Sequence, residues 1–158
     1  MPGIDDKDRE ILRILRSNGR ITLTELGRRV GLSPASVKNR LEKLERLGAI
    51  KGYSAVVDPA FLDEYVQAFF ELQLAIDDHT IDRILRDIAR FENVQALYRR
   101  SGGRQILIRA SFHDTDEVKA FAGKLKRLFG RNLERVEATL IIDTFKENWV
   151  LNERFSGR

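Results

Sequence analysis

The sequence predicts an α+β protein in two units: three short helices first, then a four-stranded antiparallel sheet carrying two helices. Three observations lead there. Residues 32–50 read L-S-P-A-S-V-K-N-R-L-E-K-L-E-R-L-G-A-I, a capped amphipathic helix placed directly after a glycine turn. Residues 66–142 alternate between a period of two and a period of 3.6, strand-helix-strand twice over. The basic excess lies entirely before residue 61, where twelve Lys/Arg stand against eight Asp/Glu, while residues 61–158 hold sixteen of each. A basic module beside a neutral one points to a polyanion met by the first unit alone.

Taken in order, residues 5–18 place Ile11, Ile14 and Leu15 on one face of a first helix. Thr22-x-x-Glu25 predicts a capping box that opens a second helix ending near Val30, and Gly31 with Leu32 supplies the turn. Ser33 is a suitable N-cap for the third helix, and Pro34 fits its first position, where a missing N–H costs nothing. Val37, Leu41 and Leu44 recur at helical spacing, and Gly48 ends the helix. If Val37 centres the buried stripe, then Ala35, Ser36, Asn39 and Lys43 face outward. Small, amide and basic side chains are the types that read base edges and hold phosphates in a major groove. Two short helices joined by a glycine turn form a helix-turn-helix, of winged-helix-like type here, with the second of the pair as reader. An ordinary antiparallel helix pair is the plainer alternative. Residues 53–57 then suggest a short strand ended by Asp58-Pro59. The expected division is 1–59 for the helical unit, 60–145 for the second domain and 146–158 for a tail.

In the second domain Val66, Ala68, Phe70, Leu72, Leu74 and Ile76 alternate with more polar positions, the signature of a strand with one committed face. Ile81, Ile84, Leu85 and Ile88 follow at helical spacing, and residues 94–100 form the next strand. The pattern repeats with Ile106, Ile108, Ala110 and Phe112, then a helix opened by Asp114 with Val118, Phe121, Leu125 and Leu128, then Ala138, Leu140 and Ile142. This is the ferredoxin-like βαββαβ order. The other sheet face would carry Tyr65, Phe69, Leu107, Thr139 and Ile141, and no further helix is available to cover it. A second protomer is the simplest cover, so a homodimer is expected. Shielding by the tail, with Trp149, is the alternative.

Composition narrows the chemistry. The chain has 158 residues, 42% of them apolar, and no cysteine, which excludes disulfides, thiolate nucleophiles and Cys-based zinc sites. Asp5, Asp6, Lys7 and Asp8 charge the start, so no signal peptide is expected, and no apolar run approaches the ~20 residues that span a bilayer. A soluble cytoplasmic protein without membrane attachment follows as the expectation. His79 and His113 stand far apart, and no nucleophile elbow, P-loop or dinucleotide fingerprint is present. No catalytic residue, cofactor or metal ligand is therefore assigned.

The order and length of these elements resemble the feast/famine regulators, the leucine-responsive regulatory protein/AsnC (Lrp/AsnC) family. The resemblance rests on I-D-D-K-D-R-E-I-L-R-I-L, N-G-R-I-T-L-T-E-L, V-G-L-S-P-A-S-V and R-L-E-K-L-E-R-L-G-A-I-K-G-Y, in that order, and covers residues 4–146. It implies a sequence-specific regulator that binds double-stranded DNA through Ser33, Ala35, Ser36, Lys38, Asn39, Arg40 and Lys43. It also implies a homodimer joined through its sheet, assembly of dimers toward octamers, and a small-molecule effector, an amino acid or related metabolite, between subunits. Carried over, the effector loop is Ser101, Gly102, Gly103, Arg104 and Gln105. The chain departs from the family in two places. Asp63 stands where a glycine is common, and Gln105 replaces the loop's usual acid while Arg104 adds a cation, which favours ligands with extra negative charge. Two other readings remain open. One is a low-specificity architectural DNA-binding protein; the other is a sirohaem-decarboxylase-like enzyme, with Arg99, Arg100 and Arg104 gripping carboxylates.

Overall fold

The helical unit is built on its caps. The computed structural model describes residues 3–152. Helix α1 (Asp6–Ser17) opens on a reciprocal capping box: the Asp5 carboxylate accepts from Asp8 N at 2.8 Å, and Asp8 accepts from Asp5 N at 3.2 Å. The box predicted at α2 (Leu23–Val30) is only half formed. Thr22 Oγ1 accepts from Glu25 N at 3.1 Å, but the Glu25 carboxylate turns to Arg28 and Arg29. Charge-assisted bonds at i+3 and i+4 outcompete a single backbone amide. Gly31 sits at φ +70°, the left-handed turn conformation glycine adopts without penalty, and Ser33 Oγ then caps α3 (Pro34–Arg46). Ile11, Leu26, Val30, Val37 and Leu44 close the core of this unit.

Residues 51–58 form no strand, contrary to the reading of 53–57; an extended segment without a ladder partner stays irregular, and Tyr53 is held by donating to Glu45 at 3.0 Å. Of the described residues, those up to Val56 together with those from Thr144 form one unit, and Val57–Asp143 forms the other. The C-terminal segment of the first unit is a hairpin, β5 (Lys146–Glu147) and β6 (Val150–Leu151), while residues 153–158 of the predicted tail lie outside the described residues. Its two-residue turn puts Asn148 at φ +45° and Trp149 at φ +65°. A bulky residue rarely tolerates that conformation. Here the Arg16 guanidinium stacks on the Trp149 ring at 4.7 Å and offsets part of the strain.

The second unit has the predicted ferredoxin-like order. Strands β1 (Val66–Leu74), β2 (Val94–Arg99), β3 (Gln105–Phe112) and β4 (Leu133–Ile141) run antiparallel in the spatial sequence β2-β3-β1-β4. Helices α4 (His79–Ile88) and α5 (Thr115–Phe129) are capped by Asp78 and Asp114 and cover the Phe70 face, where Phe70, Phe112 and Phe121 meet edge-on or tilted. Three details of the predicted stripes differ. β1 ends at Leu74, so Ile76 lies beyond it and is exposed. Phe129, not Leu128, completes the buried face of α5; β4 ends at Ile141, leaving Ile142 exposed. Asp63 takes φ +58° after a short 3-10 turn (Pro59–Leu62), which accounts for the glycine common at that position. It is held there by the Tyr65 hydroxyl, donating to its carboxylate at 2.7 Å, and by the His113 ring against its carbonyl.

The opposite sheet face is open within the protomer and divides into two halves. Register places Gln67 between Ser111 and Ile141, and Phe69 between Arg109 and Thr139, so one half sets Phe69 and Ile141 among uncharged polar side chains and one arginine. In the other half Glu71 stands directly opposite Glu137, each compensated by an arginine, Arg100 and Arg135. No helix among the described residues is long and apolar enough to cross a membrane.

Candidate nucleic-acid interface and effector loop

Every side chain assigned to the reader comes from α3 and its cap, and the structure sorts them into two groups. Ser33, Ala35, Lys38 and Asn39 are exposed and Ser36 is half-buried. Ser33 Oγ accepts from the Ser36 amide, at 3.2 Å, which caps the helix and leaves the hydroxyl proton to donate. Lys38 has one loose partner, Glu42 at 3.9 Å, and Arg46 extends the same outward row without an ion-pair partner among the described residues. The row is therefore small, amide and basic, on a helix whose other side is fixed in the core.

Arg40 and Lys43 belong to a different structure. Both turn toward α1 and meet Asp8, whose side chain is fully buried: Arg40 Nη1 donates to Asp8 Oδ1 at 2.7 Å and Lys43 Nζ to Asp8 Oδ2 at 2.8 Å. Arg40 also reaches Asp5, at 2.7 Å. Neither cation stands open toward the solvent side where the sequence expectation placed it. Burial alone would push the Asp8 carboxyl up, but the bonds from Lys43, Arg40 and the Asp5 amide outweigh that and hold it at about 2. Sequence inspection missed Asp8, because an aspartate at the third helical position reads as a cap residue. The signal was there in Arg40, which lies only about 60° from Val37 on a 3.6-residue helix and so on the flank of the buried stripe.

A depressed carboxyl stabilises the fold above its unfolded value and loses that contribution as pH falls through its folded value. Asp8 should therefore support the helical unit fully above about pH 4 and cease to do so near pH 2. With the ordinary value at 3.8 and the folded one at about 2, that is about 2 kcal/mol. Acid titration of helicity in wild type and Asp8→Asn checks this: the variant should be less stable at neutral pH and flatter between pH 4 and 2.

The second predicted site is the β2–β3 hairpin. Ser101, Gly102, Arg104 and Gln105 are exposed and Gly103 is half-buried, with Gly102 at φ +95° and Gly103 at φ +79°. Arg104 does not stand open as a fork; its Nη1 lies 3.4 Å from the Ala75 carbonyl. The structure also brings an acid to the loop that the sequence did not reveal. Asp77, from the β1–α4 turn, occupies the space a side chain at Gly103 would need, its Oδ2 lying only 2.1 Å from where a Cβ would stand. Arg99 binds both Asp77, at 3.3 Å, and Asp82. The carboxylate absent at Gln105 is thus present nearby, from a different element. Among the described residues no group of His, Cys, Asp or Glu could hold a metal ion.

Comparison with known proteins agrees with this layout. The AsnC-type helix-turn-helix domain matches residues 4–45, and the Lrp/AsnC ligand-binding domain matches residues 67–151. An HTH-type transcriptional regulator of Pyrococcus furiosus is 45% identical over 152 residues, 95% of this chain and 98% of its own length. The leucine-responsive regulatory protein of Escherichia coli K12 is 34% identical over 131 residues, 82% of this chain and 80% of its own. Among solved structures, a transcriptional regulator of Neisseria meningitidis in complex with L-Met superposes with a TM-score of 0.76 at 26% identity, covering 91% of this chain and 93% of that one.

Proposed function

The chain belongs to the Lrp/AsnC family of helix-turn-helix transcriptional regulators, and on that footing we propose that it reads a specific operator with α3 as a homodimer, under control of a small metabolite. It is a transcriptional regulator with a DNA-binding and a ligand-binding domain. The observation that carries the finer reading is the outward row of α3, in which Ser36, Lys38, Asn39 and Arg46 are the side chains able to bond base edges or phosphates. Arg40 and Lys43 are left out of this set because Asp8 holds them. The partner for dimerisation is a second copy, seated on the half of the open sheet face that carries Phe69 and Ile141. The protein acts in the cytoplasm on double-stranded DNA.

For the effector we take the class of the relative's ligand, an amino acid or related metabolite. In the β2–β3 hairpin, Ser101 to Gln105, the exposed Arg104 is the group for a carboxylate, and Asp77, already paired with Arg99, is the neighbouring acid for an ammonium group. This loop chemistry suits a zwitterion better than the Gln105 substitution alone suggested.

Selection of bound fragments from random duplex DNA, with and without a panel of amino acids, tests the reading. One enriched pseudo-palindrome, bound at least ~10³-fold more tightly than random DNA, and a change in that ratio with one amino acid are expected. Uniform binding to all sequences would establish the architectural alternative instead.

A further inference from the structure

We infer that Asp8 sets the electrostatic footprint of the reader helix by holding Arg40 and Lys43 away from DNA. The inference rests on the proposed role of α3 as reader. The Asp8 carboxylate is fully buried, and three donors use it: Arg40 on Oδ1, Lys43 and the Asp5 amide on Oδ2. Asp5 supplies a second carboxylate to Arg40, so two acids and two cations cancel. Helix α3 carries four cations, Lys38, Arg40, Lys43 and Arg46. The cluster removes two of them from the phosphate account and leaves Lys38, itself near Glu42, and Arg46.

The arrangement has a consequence for specificity. Phosphate contacts raise affinity for every sequence alike, whereas base-edge contacts raise it for one. A reader helix whose central cations are neutralised from behind binds random DNA weakly, and its discrimination comes from the small and amide side chains at Ser36 and Asn39. Arg40 and Lys43 keep part of their surface in solvent, so a change at Asp8 would release Lys43 and leave Arg40 held by Asp5 alone. Asp8 is thus a positioning residue: it touches no DNA and acts through the two cations it binds.

The test is the salt dependence of DNA binding, which a purely structural role would leave alone. Each phosphate neutralised contributes a slope of about −0.9 in log K against log salt. Lys43→Gln should keep the slope of wild type on both operator and random DNA, because Lys43 is not a phosphate contact. Asp8→Asn should steepen the slope by about 1 to 2 and raise affinity for random DNA and operator by similar factors, with helicity monitored in parallel. A slope shallower by about 0.9 in Lys43→Gln overturns the inference, as does an unchanged slope in a folded Asp8→Asn. If Asp8→Asn does not fold, Lys43→Gln decides alone. Wild type that shows no operator preference at all would instead remove the reading of α3 on which the inference stands.

Discussion

Phe69→Asp is expected to convert the protein to a folded monomer with operator affinity reduced by at least ~10³-fold. Phe69 lies in β1 on the sheet face that α4 and α5 do not cover, opposite Thr139 and Arg109. In the isolated protomer a carboxylate there meets water, so the Phe70 core on the other face is undisturbed. In a dimer joined through this face the carboxylate loses its water, and several kcal/mol of desolvation fall on each of two equivalent positions. The charged half of the face cannot accept the new acid, since Glu71 and Glu137 already stand opposite each other there. Operator affinity falls with the dimer, because two half-sites are read only by two linked helices. Light-scattering mass with far-UV circular dichroism checks the claim, and an assembly of wild-type mass in Phe69→Asp would show that another surface joins the protomers. The same measurement on wild type separates a dimer from a larger assembly.

What the chain revealed beforehand was whatever local rules decide. Ser33-Pro34 marks the start of α3 because a cap needs only its own side chain, and Gly31 marks the turn because its left-handed conformation excludes most other residues. The alternation of β1 and β3 predicted their faces correctly, since a period of two admits one buried set. Two features depend on partners far away in sequence. Arg40 and Lys43 have the composition of a DNA-facing row, but Asp8, more than thirty positions earlier, decides where they point. Asp77 fills the space left by Gly103, and nothing in S-G-G-R-Q announces it. The C-terminal hairpin was hidden for the opposite reason: its turn uses Asn148 and Trp149, without the glycine that normally signals two positive φ values. The stretch 53–57 has strand-forming residues and no partner, which shows that composition proposes a strand and pairing makes one.

Asn39→Ala is expected to lower operator affinity about 5- to 150-fold and to leave binding to random DNA nearly unchanged. Asn39 is exposed at the centre of the outward row of α3, between Ala35 one turn before and Arg46 two turns after. Its amide offers a donor and an acceptor side by side, the pair that fits the edge of adenine in the major groove, and such a bidentate contact is worth about 1–3 kcal/mol of discrimination. Because the neighbouring cations are bound to Asp8, little phosphate attraction remains nearby to mask the loss. Alanine is also the best helix former, so α3 keeps its geometry and the change isolates the contact. Lys38→Gln makes the contrast. As an exposed cation with only a loose partner it should lower affinity for operator and random DNA by the same factor and make the salt slope shallower by about 0.9. The two variants together distinguish a base contact from a phosphate contact on one helix. Equal losses on both DNAs for Asn39→Ala would mean that the amide faces the backbone, and that base reading lies closer to the helix start, at Ala35 and Ser36.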